Sequence, residues 1–486
     1  MSTIHDQAMN YVYQQILQRL LSFFSRAERT ALQLLIQRLA VAAGGMERIG
    51  EFKVLVTQSG SRDSCYSLAM LRAAQLSIAG RAPATFQLRV ATLRWNGTTA
   101  AALSNMHRCY SSLFLYDDPR VELLMVDNRE VLPFNHQAPL SDEGRSANRT
   151  NLLMVGHRRF WQDALQLWDD AYLATAEFYD QIARWNNGVD VMISSEKPSR
   201  QRRFLSGLDR ALGRVSMKGV PANTRDAEDL FLVLDSLGGD LYQELYPDSQ
   251  RAPWRPVGQF EACRRTCFVD VNDILVDKLD ERWPLLSEFL GFQMEEPLLH
   301  QGDSEFADPL VTAHLHGIQA SVIEGGSYVQ GVREHLQHCL TQMRNKQLPE
   351  STWEPLQAVL GKPDGAEELR LQGGAWLQRT FGLNEEQIIC LLFAPFVEQG
   401  VGLERFLRTC HPGMLVALPD LHRAMQGLHA PEQVLKWMTD VSGLSIELIG
   451  RLYSMEPVRL RDPIESGEAT TAFETEEVLR DRSAEG

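Results

Sequence analysis

Short β-branched runs and helical stretches alternate between residues 52 and 126, and few folds accept that alternation. Residues 52–57 (FKVLVT), 86–93 (FQLRVATL) and 121–126 (VELLMV) read as strands. Residues 65–78 and about 99–115 read as the helices between them, with Gly80, Pro83 and the Asn96-Gly97 pair as breaks. A strand, a helix and a second strand pair in parallel through a right-handed crossover. Residues 189–194 (VDVMIS) read as one more strand of the same sheet. The expected fold class is therefore α/β, with a small parallel-sheet, Rossmann-like domain at its centre.

That domain is flanked by helices. Met9, Val12, Tyr13, Ile16, Leu17, Leu20 and Leu21 recur at three- and four-residue spacing and form one apolar stripe. Ser25 followed by Glu28 is a capping-box pattern, so a second helix starts there and carries Leu32, Leu35, Ile36 and Leu39 up to Gly44-Gly45. The result is an N-terminal helical hairpin over residues 1–45, packed on the next domain or offered to a partner helix. Residues 134–151, rich in Ser, Asn, Asp and Gly, read as a loop or hinge. Residues 160–185 read as a helix with Trp161, Leu165, Trp168, Tyr172 and Phe178 on it. From about 227 to 455 the chain reads as helices joined by Gly- and Pro-bearing turns, with no fixed-period repeat. The expected division is an α/β domain over 46–220, a large all-α region over 221–460 and a disordered acidic tail over 461–486.

Composition narrows the function classes. Across 486 residues, 63 acidic side chains oppose 48 basic ones for a formal net charge of -15, which repels nucleic-acid backbones and anionic lipid. Neither a secretory signal nor an apolar run near spanning length is visible, and the seven scattered cysteines fit reduced thiols, so a cytoplasmic location is expected.

The chemistry-bearing segment is Ser59-Gly60-Ser61-Arg62-Asp63-Ser64, placed between the first strand and the first helix of the α/β domain. Backbone amides at a helix start, with the positive end of the helix dipole behind them, attract an anion. Gly60 permits close backbone approach, the serines add hydroxyl donors, and Asp63 either orients a magnesium ion or caps the loop. A plain N-capped turn, with Ser59 or Ser61 as the cap, accounts for the same residues. The segment resembles the phosphate loop of the N-type ATP pyrophosphatases, whose pattern is Ser-Gly-Gly-x-Asp-Ser. Ser59, Gly60, Asp63 and Ser64 match that pattern, Arg62 stands at the variable position, and Ser61 replaces the second glycine. The resemblance covers about 25 residues. It implies ATP and magnesium as cofactors, a loop that holds pyrophosphate, and adenylation of a carboxyl or carbonyl oxygen.

A second cluster, Lys197, Arg200, Arg202, Arg203, Arg210, Arg214 and Lys218, is dense for so acidic a chain. It reads as a solvated helix face or as a patch for a phosphorylated ligand or a nucleic-acid backbone. Because it begins at a strand's carboxyl end, where α/β sheets place ligands, Lys197 and Arg200 join the loop as candidate anion-binding residues. His314 and His316 alternate as in a strand, while Glu334 and His338 share a helix face; neither pair completes a metal set, and Cys263 with Cys267 lacks a second pair at zinc spacing. Two functions remain. One is a cytoplasmic interaction or adaptor protein with a degenerate nucleotide loop and a helical partner-binding body. The other is an ATP-dependent adenylating ligase or transferase.

Overall fold

The computed structural model describes residues 2–158, 169–196, 198–214, 234, 241–246, 266–275, 279–293, 309–345 and 350–457. Two helices open the chain, α1 (Ser2–Phe23) and α2 (Arg26–Ala42). The capping box read from Ser25 and Glu28 is formed, each residue bonding the other's backbone amide.

The α/β body follows as β1 (Lys53–Thr57), α3 (Arg62–Ala79), β2 (Gln87–Leu93), α4 (Ala100–Ser112), β3 (Val121–Asp127) and β4 (Glu130–Pro133). After α5 (Asp142–Gly156) and α6 (Asp169–Arg184) come β5 (Val191–Ser194), α7 (Pro198–Arg214) and β6 (Cys267–Asp270). The strands form one sheet in the order β4-β3-β2-β1-β5-β6, parallel throughout except for the β3–β4 hairpin. The chain runs outward from β1 through β2 and β3, then returns to lay β5 on the other side of β1. This reversal puts the switch point of the strand order between β1 and β5, and it is at the carboxyl ends of the strands flanking such a point that sheets of this kind hold their ligands.

Alternation along the strands explains the layers. Val54, Val56, Leu88 and Val90 face a core shared with α2, α3 and α4, whereas Leu55, Ala91 and Met192 face Phe178 and Ile182 of α6. Tyr172 and Phe178 are both buried but on different sides of α6, Tyr172 in the core shared with the C-terminal helices and Phe178 against the sheet; Trp161, Leu165 and Trp168 lie outside the described residues.

The C-terminal body comprises α8 (Leu279–Pro284), α9 (Pro309–Val322), α10 (Tyr328–Asn345), α11 (Glu350–Gly361), α12 (Gly365–Phe381), α13 (Glu385–Phe393), α14 (Leu403–Cys410), α15 (Leu418–Met425), α16 (Glu432–Ser442) and α17 (Ile446–Tyr453). From α9 onward these helices share a second core with α5 and α7. Among the described residues no helix is long and apolar enough to cross a membrane.

The structure corrects several readings. Much of residues 134–151 is not a loop: Ser141 caps α5 by accepting from the Gly144 amide, and Leu152 to Val155 anchor that helix in the C-terminal core. β4 was hidden in four residues, made by a two-residue turn in which Asn128 and Arg129 both adopt positive φ. β6 comes from the stretch read as helical. His314 and His316 lie on α9, not on a strand, because a period of two over three residues also fits neighbouring helical faces. The expected acidic tail lies outside the described residues.

Candidate functional site

The loop after β1 is shaped by its two ends. The Gln58 amide donates to Ala91 O at 2.8 Å, extending the parallel ladder one residue past β1. Gly60 then turns with φ +74, and a Cβ there would collide with the Ala102 backbone at the start of α4. Both facts require glycine. Ser61 is the N-cap of α3, its Oγ accepting from the Ser64 amide at 3.3 Å. The three hydroxyls meet, Ser59 to Ser61 at 3.0 Å, Ser61 to Ser64 at 3.2 Å and Ser59 to Ser64 at 3.4 Å.

Ser59 and Ser61 are exposed, Arg62, Asp63 and Ser64 are half-buried, and Gly60 is buried against the start of α4, so the turn is open to solvent at its two serines and closed at its glycine. Among the described residues nothing accepts the amides of Ser59, Gly60 or Ser61. One donor of the cradle is spent internally: where the resembled pattern has its second glycine, the Ser61 hydroxyl sits on the Ser64 amide.

Asp63 is paired. Its Oδ1 accepts from Arg282 Nη1 of α8 at 2.9 Å, and Arg200 Nη1 of α7 stands 3.7 Å from Oδ2. The Ser67 hydroxyl donates to Asp63 O at 2.8 Å and lies 2.6 Å from Ser195 Oγ, tying the first turns of α3 to the end of β5. The structure thus brings together Ser59, Gly60, Ser61, Asp63, Ser64 and Arg200. Lys197 and Lys218 lie outside the described residues, as do the side chains of Arg203, Arg210 and Arg214; Arg202 is exposed.

Arg282 was missed by sequence reasoning, and nothing in the chain pointed to it, since 219 positions separate it from Asp63. Ser195 was within reach, because the strand before it was recognised. Arg94, at the carboxyl end of β2, was also missed. It is 6% exposed, donates through Nη2 to Ala138 O, and its Nη1 has no partner among the described residues. Burial lowers its pKa, against the opposing charge of Asp127.

Three histidines of α9 and α10 are packed in the C-terminal body. His314 is buried and its Nδ1 lies 2.8 Å from the Tyr328 hydroxyl; burial depresses its pKa to about 4. His316 stacks on His335, whose Nε2 lies 3.3 Å from Cys339 Sγ. No group of three metal-ligating side chains is found among the described residues. Neither a family model, nor a curated protein, nor a solved structure matches this chain.

Proposed function

We propose that the turn at 58–64 is a degenerate phosphate loop of the N-type ATP pyrophosphatase kind, one that binds a nucleotide without turning it over. The chain around it is a cytoplasmic interaction protein whose helical body contacts other proteins. The observation that carries this reading is the turn exposed at Ser59 and Ser61, where the amides of Ser59, Gly60 and Ser61 meet no acceptor among the described residues, at the point where the strand order reverses. Two features favour retention over turnover. The Ser61 hydroxyl consumes the Ser64 amide that would face an oxyanion, and Asp63, the residue placed to orient magnesium, is already neutralised by Arg282 and Arg200.

A thermal-shift titration with ATP, ADP and pyrophosphate, each with and without magnesium, tests the reading. A ligand at a hundred times its dissociation constant adds about 2.7 kcal/mol of stability. Stabilisation without pyrophosphate release is expected. No stabilisation by any of these at millimolar concentration overturns it.

The adenylating-enzyme reading draws support from Arg200 standing on Asp63 beside the Ser59–Ser64 hydroxyl pair. It differs in one outcome: pyrophosphate release from ATP in the presence of an acceptor, abolished by Asp63→Ala.

A further inference from the structure

Glu28 is an unusual capping residue because its carboxylate is wholly buried. Oε2 accepts from the Ser25 amide at 2.7 Å, closing the capping box of α2, and Oε1 accepts from the Tyr66 hydroxyl at 2.9 Å. A buried carboxylate is costly unless hydrogen-bonded and electrostatically compensated. Tyr66 is also fully buried, one helical turn beyond Asp63 on α3. Burial, then the neighbouring Glu28 charge, push its phenol pKa up, so it keeps its proton and donates. The guanidinium of Arg282 lies 4.4 Å from the centre of the Tyr66 ring, and it is this same guanidinium that bonds Asp63. An unbroken arm therefore runs from the cap of α2 through Glu28, Tyr66 and Arg282 to the loop. At the far end of α2, Arg38 holds Asp273 through two bonds of 2.7 and 2.8 Å, beyond β6.

We infer that this arm couples the seating of the N-terminal helical hairpin to the charge of loop 58–64. Its consequence for a ligand rests on the phosphate-loop reading above; the mechanical coupling does not. With the hairpin seated, Glu28 fixes the Tyr66 ring, and the ring is the platform that holds Arg282 beside Asp63. When the hairpin lifts, the phenol loses its acceptor and the platform turns. Asp63 is then left with the longer Arg200 contact, and its charge opposes an incoming anion. Seating favours anion binding, and by reciprocity a bound anion favours seating. A protein that grips the hairpin thereby empties the loop.

Hydrogen exchange on the full chain tests both halves. In Tyr66→Phe and Arg282→Lys, without ligand, amide exchange over residues 26–31 rises about fivefold or more while α14 to α17 are unchanged. Exchange at wild-type rates in both variants overturns the coupling. With pyrophosphate as the probe, wild type gains protection over 26–31, and Tyr66→Phe binds about fivefold more weakly without that gain. Wild-type affinity in Tyr66→Phe also overturns the coupling. If wild type binds no pyrophosphate while the ligand-free effect appears, the phosphate-loop reading fails and the coupling stands.

Discussion

Asp63 and Arg282 lie 2.9 Å apart, one on the first turn of α3 and the other on a short helix 219 residues later. The pair closes the loop onto the C-terminal part of the chain, and the arginine is held in place from beneath by Tyr66. A carboxylate at a helix N-terminus is already stabilised by the helix dipole. Adding the Arg282 guanidinium compensates the Asp63 charge from within the protein.

Ser61→Gly tests whether the third hydroxyl closes the cradle. Glycine is a tolerated N-cap, so the change costs only about a few tenths of a kcal/mol in stability. It frees the Ser64 amide, which Ser61 Oγ now occupies at 3.3 Å, and restores the second glycine of the resembled pattern. Pyrophosphate and ATP should bind several-fold more tightly to the variant by isothermal titration. Weaker binding would mean that the hydroxyl assists the anion, and unchanged binding that it does not close the cradle.

Gly60→Ala should fail for two independent reasons. The backbone at φ +74 disfavours any Cβ, and the space that Cβ would need is filled by the Ala102 carbonyl. Strain of this kind costs about 1–3 kcal/mol before the clash is added. Urea denaturation should show at least that loss. A variant as stable as wild type would mean that the loop and α4 can separate freely.

What the sequence revealed follows from the range of the interactions involved. β1, β2, β3 and β5 were legible because each buries both faces and reads as an apolar run between breaks. The cap at Ser25 was legible because a capping box is local. β4 and β6 are edge strands with no fully buried position, so no apolar run marks them, whereas the equally short β5 is central and buried. In the candidate site, Ser59 to Ser64 were found because they are contiguous. Arg282 and Tyr66 were not, since their roles depend on a helix–sheet docking that no local spacing encodes. Tyr13 makes the same point: read as one residue of an apolar stripe, it presents its ring to Arg72 and Arg120 at 5.3 and 4.6 Å and so pins α1 to the sheet domain.

Beneath Tyr13, Arg72 and Asp118 form a 2.7 Å pair in which neither side chain is exposed. Burial pushes the Asp118 carboxyl up, but hydrogen bonds from Arg120 and the charge of Arg72 outweigh it and hold the pKa at about 2. Arg72 also donates to the carbonyls of Leu113 and Phe114, which shape the turn after α4. Arg72→Met should therefore destabilise by about 3–5 kcal/mol, since it leaves a buried charge and two carbonyls short of a partner. Removing both partners, as Arg72→Met with Asp118→Leu, should recover part of that loss. A single variant within about 1 kcal/mol of wild type by chemical denaturation would show that Arg120 alone suffices.

The C-terminal helices should be acid-labile well before their carboxylates titrate. Burial depresses the pKa of His314 to about 4, with Arg370 adding to the effect and Glu385 opposing it. His316 and His335 are depressed for the same first reason, to about 4 and about 3. A histidine in the unfolded chain takes its proton near pH 6.5, whereas the folded His314 does not until about pH 4. The unfolded state thus binds more protons throughout that window. Stability is at its plateau above about pH 6.5 and falls as pH drops towards 4, by about 3 kcal/mol for the fully buried His314. Urea midpoints measured between pH 7.5 and 4.5 should follow that slope. His314→Gln removes its share of the slope, whatever it does to stability at neutral pH, because the Tyr328 hydroxyl then meets a side chain that does not titrate. An unaltered slope in the variant would place the acid sensitivity elsewhere, with the stacked pair His316 and His335 next to be replaced.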